Sequence, residues 1–137
     1  MKYLPGLIFI LIIANIVLSI FAVYQEYNGF SFCITGKGCE KVQNSEYSSI
    51  LGIKLGWLGT LAFTALLIIY YLTYNKKLTQ KLYISAISLG AILAIYFIYL
   101  QLFVIKAICS TCITLDFITI IISIASFKAL SADNLTL

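Results

Sequence analysis

Histidine is absent from all 137 residues, which removes the commonest general base and the commonest metal ligand. Charge is scarce as well: charged residues make up 10% of the chain, against about 25% in soluble domains. Beside a hydrophobic share of 62%, that scarcity excludes a soluble domain of this length, because so little polar surface could not cover the rest. An integral membrane protein is the class that remains. The net charge of +4 is modest and dispersed, which argues against nucleic acid as a partner. Any chemistry must therefore rest on cysteine, on a few acids and lysines, or on a bound cofactor.

Four apolar runs are present, at residues 4–23, 55–74, 82–105 and 107–127. At ~1.5 Å per residue, runs of this length cross a hydrocarbon core of about 30 Å. The first is interrupted only by Pro5 and Gly6 at its start and by Asn15 and Ser19. It exceeds the ~7–15 apolar residues of a signal peptide and has no small-x-small cleavage site after it, so it reads as a retained helix. Trp57 at one end of the second run and Tyr70, Tyr71 and Tyr74 at the other predict an interfacial aromatic belt. Ser85, Ser88, Gly90 and Ala91 give the third run small residues for close helix packing. The expected fold is one all-α membrane domain, a bundle of four transmembrane helices.

Residues 24–54 form the one long polar connection. Cys39 to Leu51 within it predicts a short helix lying at the interface, with Val42, Tyr47, Ile50 and Leu51 as apolar contacts. Asn44, Ser45, Ser48 and Ser49 work against that helix. Four spans put both termini on one side, together with Lys2, Lys76, Lys77, Lys81 and Lys128. Lys37, Lys41, Lys54 and Lys106 lie on the other side, so the lysine excess is five to four. It favours a multi-pass cell-membrane protein with cytoplasmic termini. Alternation alone brings the 24–54 loop and the turn before Cys109 to one common face. If that face is extracytoplasmic, disulfides persist there.

All four cysteines then share a side. Cys33 and Cys39 make a C-x5-C pair in a glycine-rich loop, and Cys109 and Cys112 make a C-x-x-C pair at the start of the last span. Three bridging patterns are open. Four residues are about one helical turn, so a helix there stacks both sulfurs on one face. A helix N-terminus, with Lys106 three residues upstream, favours the thiolate. A mobile loop pair facing a fixed helical pair suits thiol–disulfide exchange, carrying two electrons from a soluble thiol to the membrane edge. With no histidine for haem and no nucleotide fingerprint, the plausible acceptor is a lipid-soluble quinone. Cys112 lies one turn deeper than Cys109, on the side where such an acceptor would be met. Asp116 follows Cys112 by four residues, on the same helical face, and an acid inside a span is a functional candidate by default. Quinone reduction consumes protons, and a buried carboxylic acid could supply them.

The order C-x5-C, Val42, Ser45, Gly52-Ile53, Leu58-Gly59, Tyr96 and Cys109-x-x-Cys112-Ile-Thr resembles the vitamin K epoxide reductase family. The resemblance runs from about Phe21 to about Ile120 and covers the four-helix core. It implies a bundle built around a quinone, with Cys112 reacting with the quinone and Cys109 exchanging with a loop cysteine, Cys39. Cys33 would then communicate with the partner. Ser45 and Tyr96 match a serine and a tyrosine that the family carries near its pocket. Asp116 departs from the pattern: animal members place a tyrosine there, in the vitamin K pocket. Lys54 stands where many microbial members carry proline. The chain has no room for the thioredoxin-like domain that many microbial members fuse to this core, so the expected partner is a separate protein.

The function these features predict is a quinone-dependent membrane thiol oxidoreductase that generates disulfides. Electrons would pass from a thioredoxin-fold thiol protein through Cys33 and Cys39 to Cys109 and Cys112, then to ubiquinone, menaquinone or a related quinone. The alternatives are quinone or quinone-epoxide reduction as the main activity, or a non-catalytic four-span protein stapled by structural disulfides. A zinc site of four thiolates is chemically tolerable, but two spans separate the pairs and the reading carries no metal.

Overall fold

The structure is a computed structural model that describes residues 3–29, 33–34 and 36–134, with side chains described to residue 131. Lys2 lies outside the described residues, as do residues 30–32 and 35 of the polar loop. The helices α1 (Leu4–Asn28), α3 (Leu55–Tyr74), α4 (Gln80–Tyr99) and α5 (Ser110–Asn134) are joined by the segments that carry the functional groups. A π-helical turn, Leu100–Val104, prolongs α4. The connection between α1 and α3 holds a short helix α2 (Gly38–Gln43), a 3-10 turn (Glu46–Ser48) and a two-stranded hairpin. Its strands, β1 (Ser49–Ile50) and β2 (Ile53–Lys54), are antiparallel with Ser49 opposite Lys54.

Four of these helices are long and apolar enough to cross a membrane, and the protein is a multi-pass membrane protein. Between 6% and 33% of each span is buried inside the bundle, so most apolar side chains face outward, where lipid takes the place of a protein partner. Association of the spans therefore depends on close packing and interhelical hydrogen bonds. Helix α1 packs against α3 and α5, and α4 closes the bundle against α5 and α3. The interior is centred on Ile8, Ile12, Leu66, Tyr83, Ile87 and Ile122.

Glycine sets the α1–α3 approach. A Cβ at Gly56 would lie 2.8 Å from Val23 Cγ2, and one at Gly59 would lie 2.9 Å from Ser19 Oγ. Ser19 Oγ also donates to the Gly56 carbonyl at 3.4 Å. Of the small residues expected to help the third span pack, Gly90 does so against Thr119 of α5. Deeper in the bundle Asn15 Nδ2 donates to Thr119 Oγ1 at 3.0 Å, joining α1 to α5.

Several element boundaries differ from the sequence expectation: α4 starts at Gln80 and not 82, α5 runs on to Asn134 past 127, and three further differences have a local cause. Helix α1 runs five residues past Val23 because no breaker intervenes before Gly29, whose φ of +62° ends it. The last helix starts at Ser110 rather than 107, because Lys106 adopts a φ of +53° and residues 106–109 are not helical. The expected Cys39–Leu51 helix is only the six residues of α2. Ser45 Oγ donates to the Val42 carbonyl and Ser48 Oγ to the Ser45 carbonyl, both at 2.7 Å. These local bonds replace the helix ladder. Tyr70 also leaves the expected belt: it turns inward and donates to the Pro5 carbonyl at 2.8 Å, while Trp57, Tyr71 and Tyr74 remain exposed.

Candidate functional site: a cysteine turn above an apolar cavity

Cys33 and Cys39 are joined in a disulfide, with Cα atoms 5.8 Å apart, while Cys109 and Cys112 are free thiols. Gly36 makes the loop between the first pair possible. Its φ of +75° suits glycine, and its N–H returns to the Cys33 carbonyl at 3.1 Å. Helix α2 lies against α5 and carries Cys39, which has no exposed surface. Cys33 Sγ is 3.7 Å from Ser110 Oγ and 3.9 Å from the Ile108 carbonyl oxygen. The loop disulfide thus rests on the turn that carries the C-x-x-C pair, on the common face that alternation of the spans predicts.

That turn is shaped by the end of α4. The wide π turn closes with Ile105 N–H donating to the Leu100 carbonyl at 2.8 Å. After Lys106, Ala107 N–H donates to the Gln101 carbonyl at 3.1 Å, and Cys109 N–H donates to Gln101 Oε1 at 3.1 Å. Helix α5 then begins: the Cys109 carbonyl accepts from Ile113 N–H at 2.9 Å, and Cys109 Sγ accepts from Cys112 N–H at 3.3 Å. Cys109 therefore occupies the capping position, its sulfur on one of the unpaired N–H groups of the first turn. The hydrogen bond from the Cys112 thiol holds the Cys109 thiol below its usual range. Burial opposes the effect, and the N–H groups of Cys112 and Thr111 add to it. Lys106, three residues upstream, is exposed and takes no part in this lowering, contrary to the sequence expectation.

Below the turn lies a cavity of about 450 Å³ lined by all four long helices and by the polar loop above it. Its walls are mostly apolar, as with Leu58, Phe63, Leu93 and Phe97. Cys112 and Asp116, one turn apart on α5, both line it. Cys109 does not, which places the two sulfurs of one motif in different surroundings. Ser45 lines the roof, although its hydroxyl is already committed to the Val42 carbonyl. Tyr96 is not brought to the site: it is half-exposed, and its ring rests 5.8 Å from that of Phe97, which takes the place on the cavity wall. A step of about 100° per residue separates the two positions.

Gln101 is a site residue that the motif spacing does not single out. It is 3% exposed, lines the cavity and donates from Nε2 to Asp116 Oδ2 at 3.4 Å. A polar amide inside an apolar span was the available signal. Glu26 is another, at the cavity edge, where it pairs with Lys54 of β2. Tertiary placement alone reveals that pairing.

Residues 6–127 match the family model described as Vitamin K epoxide reductase family. No curated protein matches the chain. The match spans all four membrane helices and both cysteine pairs, so the chain belongs to the vitamin K epoxide reductase family of membrane oxidoreductases.

Proposed function

We propose that the protein is a thiol:quinone oxidoreductase that makes disulfides for a separate thioredoxin-fold protein. One observation carries the reading: the C-x-x-C turn has the loop disulfide on one side and an apolar cavity, reached by Cys112, on the other. The resting pattern supports a direction. Cys33 is the partly exposed sulfur of the loop pair and Cys39 is the buried one. A partner thiolate attacking Cys33 would release Cys39 as a thiolate inside the protein. Cys39 would attack Cys109 of a Cys109–Cys112 disulfide and release Cys112 at the cavity wall. The partner's second thiolate then frees Cys33 from its mixed disulfide, and Cys33 attacks Cys39 and frees Cys109. Each exchange breaks one S–S bond and forms another while two electrons move inward. An oxidised loop above a reduced C-x-x-C pair is the stage at which those electrons have reached the inner pair.

The cavity suits a quinone in volume and character, being within the ~300–1,000 Å³ of small-molecule sites and apolar with a few convergent polar groups. Cys112 and Asp116 would hold its polar ring, with Ser45 in the roof above, and a bound ubiquinone, menaquinone or related quinone would supply a two-electron, two-proton acceptor. Cys109 and Cys112 give up those two electrons as their disulfide closes, and the Cys112 thiol gives up one of the two protons. Asp116 holds a proton at its carboxyl beside Cys112 and hands it into the cavity, a role of general acid. Lysines on the face of the termini and a disulfide on the opposite face support cytoplasmic termini and extracytoplasmic cysteines.

The test is anaerobic turnover in detergent, with a reduced thioredoxin-fold protein as donor and a soluble quinone followed by absorbance. Wild type should reduce the quinone and Cys112→Ala should not. Turnover that survives in Cys112→Ala would overturn the relay.

A further inference from the structure

Gln101 has two different partners on either side of the first turn of α5. Its Oε1 accepts from Cys109 N–H at 3.1 Å, and its Nε2 donates to Asp116 Oδ2 at 3.4 Å. One side chain therefore spans from the capping cysteine to the cavity acid, seven residues further along the chain. The main chain of Gln101 joins in, since its carbonyl accepts from Ala107 N–H at 3.1 Å. Both ends of this residue thus clasp the short segment in which Lys106 takes its positive φ.

The local backbone explains how Gln101 comes to lie there. The residue falls in the π turn of Leu100–Val104, where the wider winding changes which side chains face inward. Leu100 and Gln101 are the buried pair of that turn, while Leu102, Phe103 and Val104 are exposed. An amide with both ends hydrogen-bonded is far less costly at this depth than an unpaired one. A glutamine also fixes polarity: only its oxygen can accept from Cys109, and only its nitrogen can donate to Asp116.

We propose that Gln101 is a positioning residue for the thiol-to-quinone reaction, keeping the capping cysteine and the cavity acid in register through a single amide. The inference rests on the function proposed above. It assigns two separable tasks. The oxygen holds the Cys109 main chain, so that Cys109 Sγ stays over the N–H of Cys112 in the dithiol state. The nitrogen occupies Asp116 Oδ2 and leaves Oδ1, which has no hydrogen-bond partner among the described residues, for the proton handed to the cavity.

Two readouts separate the tasks. The first uses the full chain carrying Cys33→Ser and Cys39→Ser, equilibrated against reduced and oxidised dithiothreitol and trapped with a maleimide in denaturant. Gln101→Leu should shift the Cys109–Cys112 dithiol-to-disulfide ratio about fivefold toward disulfide, the loss of roughly one hydrogen bond from the dithiol state. The second uses the four-cysteine protein turning over dithiothreitol with a short-chain quinone. There Gln101→Leu should lower kcat about tenfold or more while KM for the quinone stays within about threefold, because a positioned group is lost and not a binding wall. Gln101→Glu keeps an acceptor for Cys109 but no amide donor for Asp116. It should restore the dithiol ratio and leave kcat low, a split that a merely structural role would not give.

A lowered thermal midpoint with an unchanged ratio and kcat overturns the proposal, as do equal effects of Leu and Glu on both readouts. If wild type reduces no quinone while the ratio still shifts, the thiol-to-quinone reading fails. In that case the hold on Cys109 stands and the Asp116 half falls.

Discussion

Cys109 Sγ accepts the main-chain N–H of Cys112 at 3.3 Å, so the first sulfur of the pair caps the helix that carries the second. A thiolate in that position receives both the hydrogen bond and the positive end of the helix dipole. The Cys109 thiol is held below its ordinary range, with the hydrogen bond from the Cys112 thiol the leading cause and the main-chain N–H groups adding to it. The reduced protein should show an ultraviolet thiolate signal that persists below the usual thiol range of ~8.5 and disappears in Cys109→Ser. The stability that this lowering contributes is fully present above the unfolded thiol value and is lost as pH falls through the lower folded value. A thiolate signal that rises only above the ordinary range would contradict this assignment.

Asp116→Asn keeps the shape of the side chain and removes its proton. Quinone turnover should fall by about 10²–10⁴-fold, the usual contribution of a positioned acid. Exchange between the loop disulfide and a protein dithiol should be unchanged, because it occurs on the other side of the turn. Stopped-flow measurement of the two half-reactions checks both parts.

Cys33→Ala removes the partly exposed sulfur on which the partner would act. Turnover driven by a reduced thioredoxin-fold protein should drop to background, and Cys39 should become a free thiol. Trapping with a maleimide before and after denaturation reads the second outcome directly.

Packing of α1 on α3 gives a prediction independent of chemistry. Gly56→Ile would drive a branched side chain into Val23, whose Cγ2 is 2.8 Å from the nearest Cβ position. Over-packing of this kind should cost about 1–3 kcal/mol, read as a lowered midpoint of thermal unfolding in detergent. Gly6→Ala, where nothing lies within 4 Å of the added atom, should leave the midpoint unchanged.

Asn15→Leu removes the hydrogen bond to Thr119 from the middle of the bundle. Thr119 Oγ1 keeps its own bond to the Leu115 carbonyl at 2.8 Å, so no donor is stranded. The expected cost is small, about 0.6 kcal/mol as for other interhelical bonds in membranes, and the same unfolding measurement reads it.

The four spans were legible because lipid demands long uninterrupted apolar runs, and the second was placed at its observed bounds, Leu55–Tyr74. Alternation of the spans likewise brought the two cysteine pairs together without any knowledge of contacts. The pairing of Asp116 with Cys112 on one cavity wall followed from helical periodicity. Tyr96 failed the same kind of argument, because a motif match fixes a position along α4 but not which way the helix faces, and Phe97 holds the wall. Gln101 stands out in the sequence as an amide within an apolar span, but its partners do not. Its role depends on a π turn, and hydrophobic periodicity carries no mark of one extra residue in a turn. The short α2 shows a third limit, since serines that can cap, turn or continue a helix declare their choice only through the bonds they form.

The contrast between the two outer sulfurs has a consequence of its own. Cys33 is partly open at the surface of the polar loop, and Cys112 borders an apolar chamber, with the buried Cys39 and Cys109 between them in the relay. A reagent confined to water meets the first, and an oily one meets the second. On the proposed relay, the molecule would be an insulated junction in which sulfur is the conductor between two different solvents.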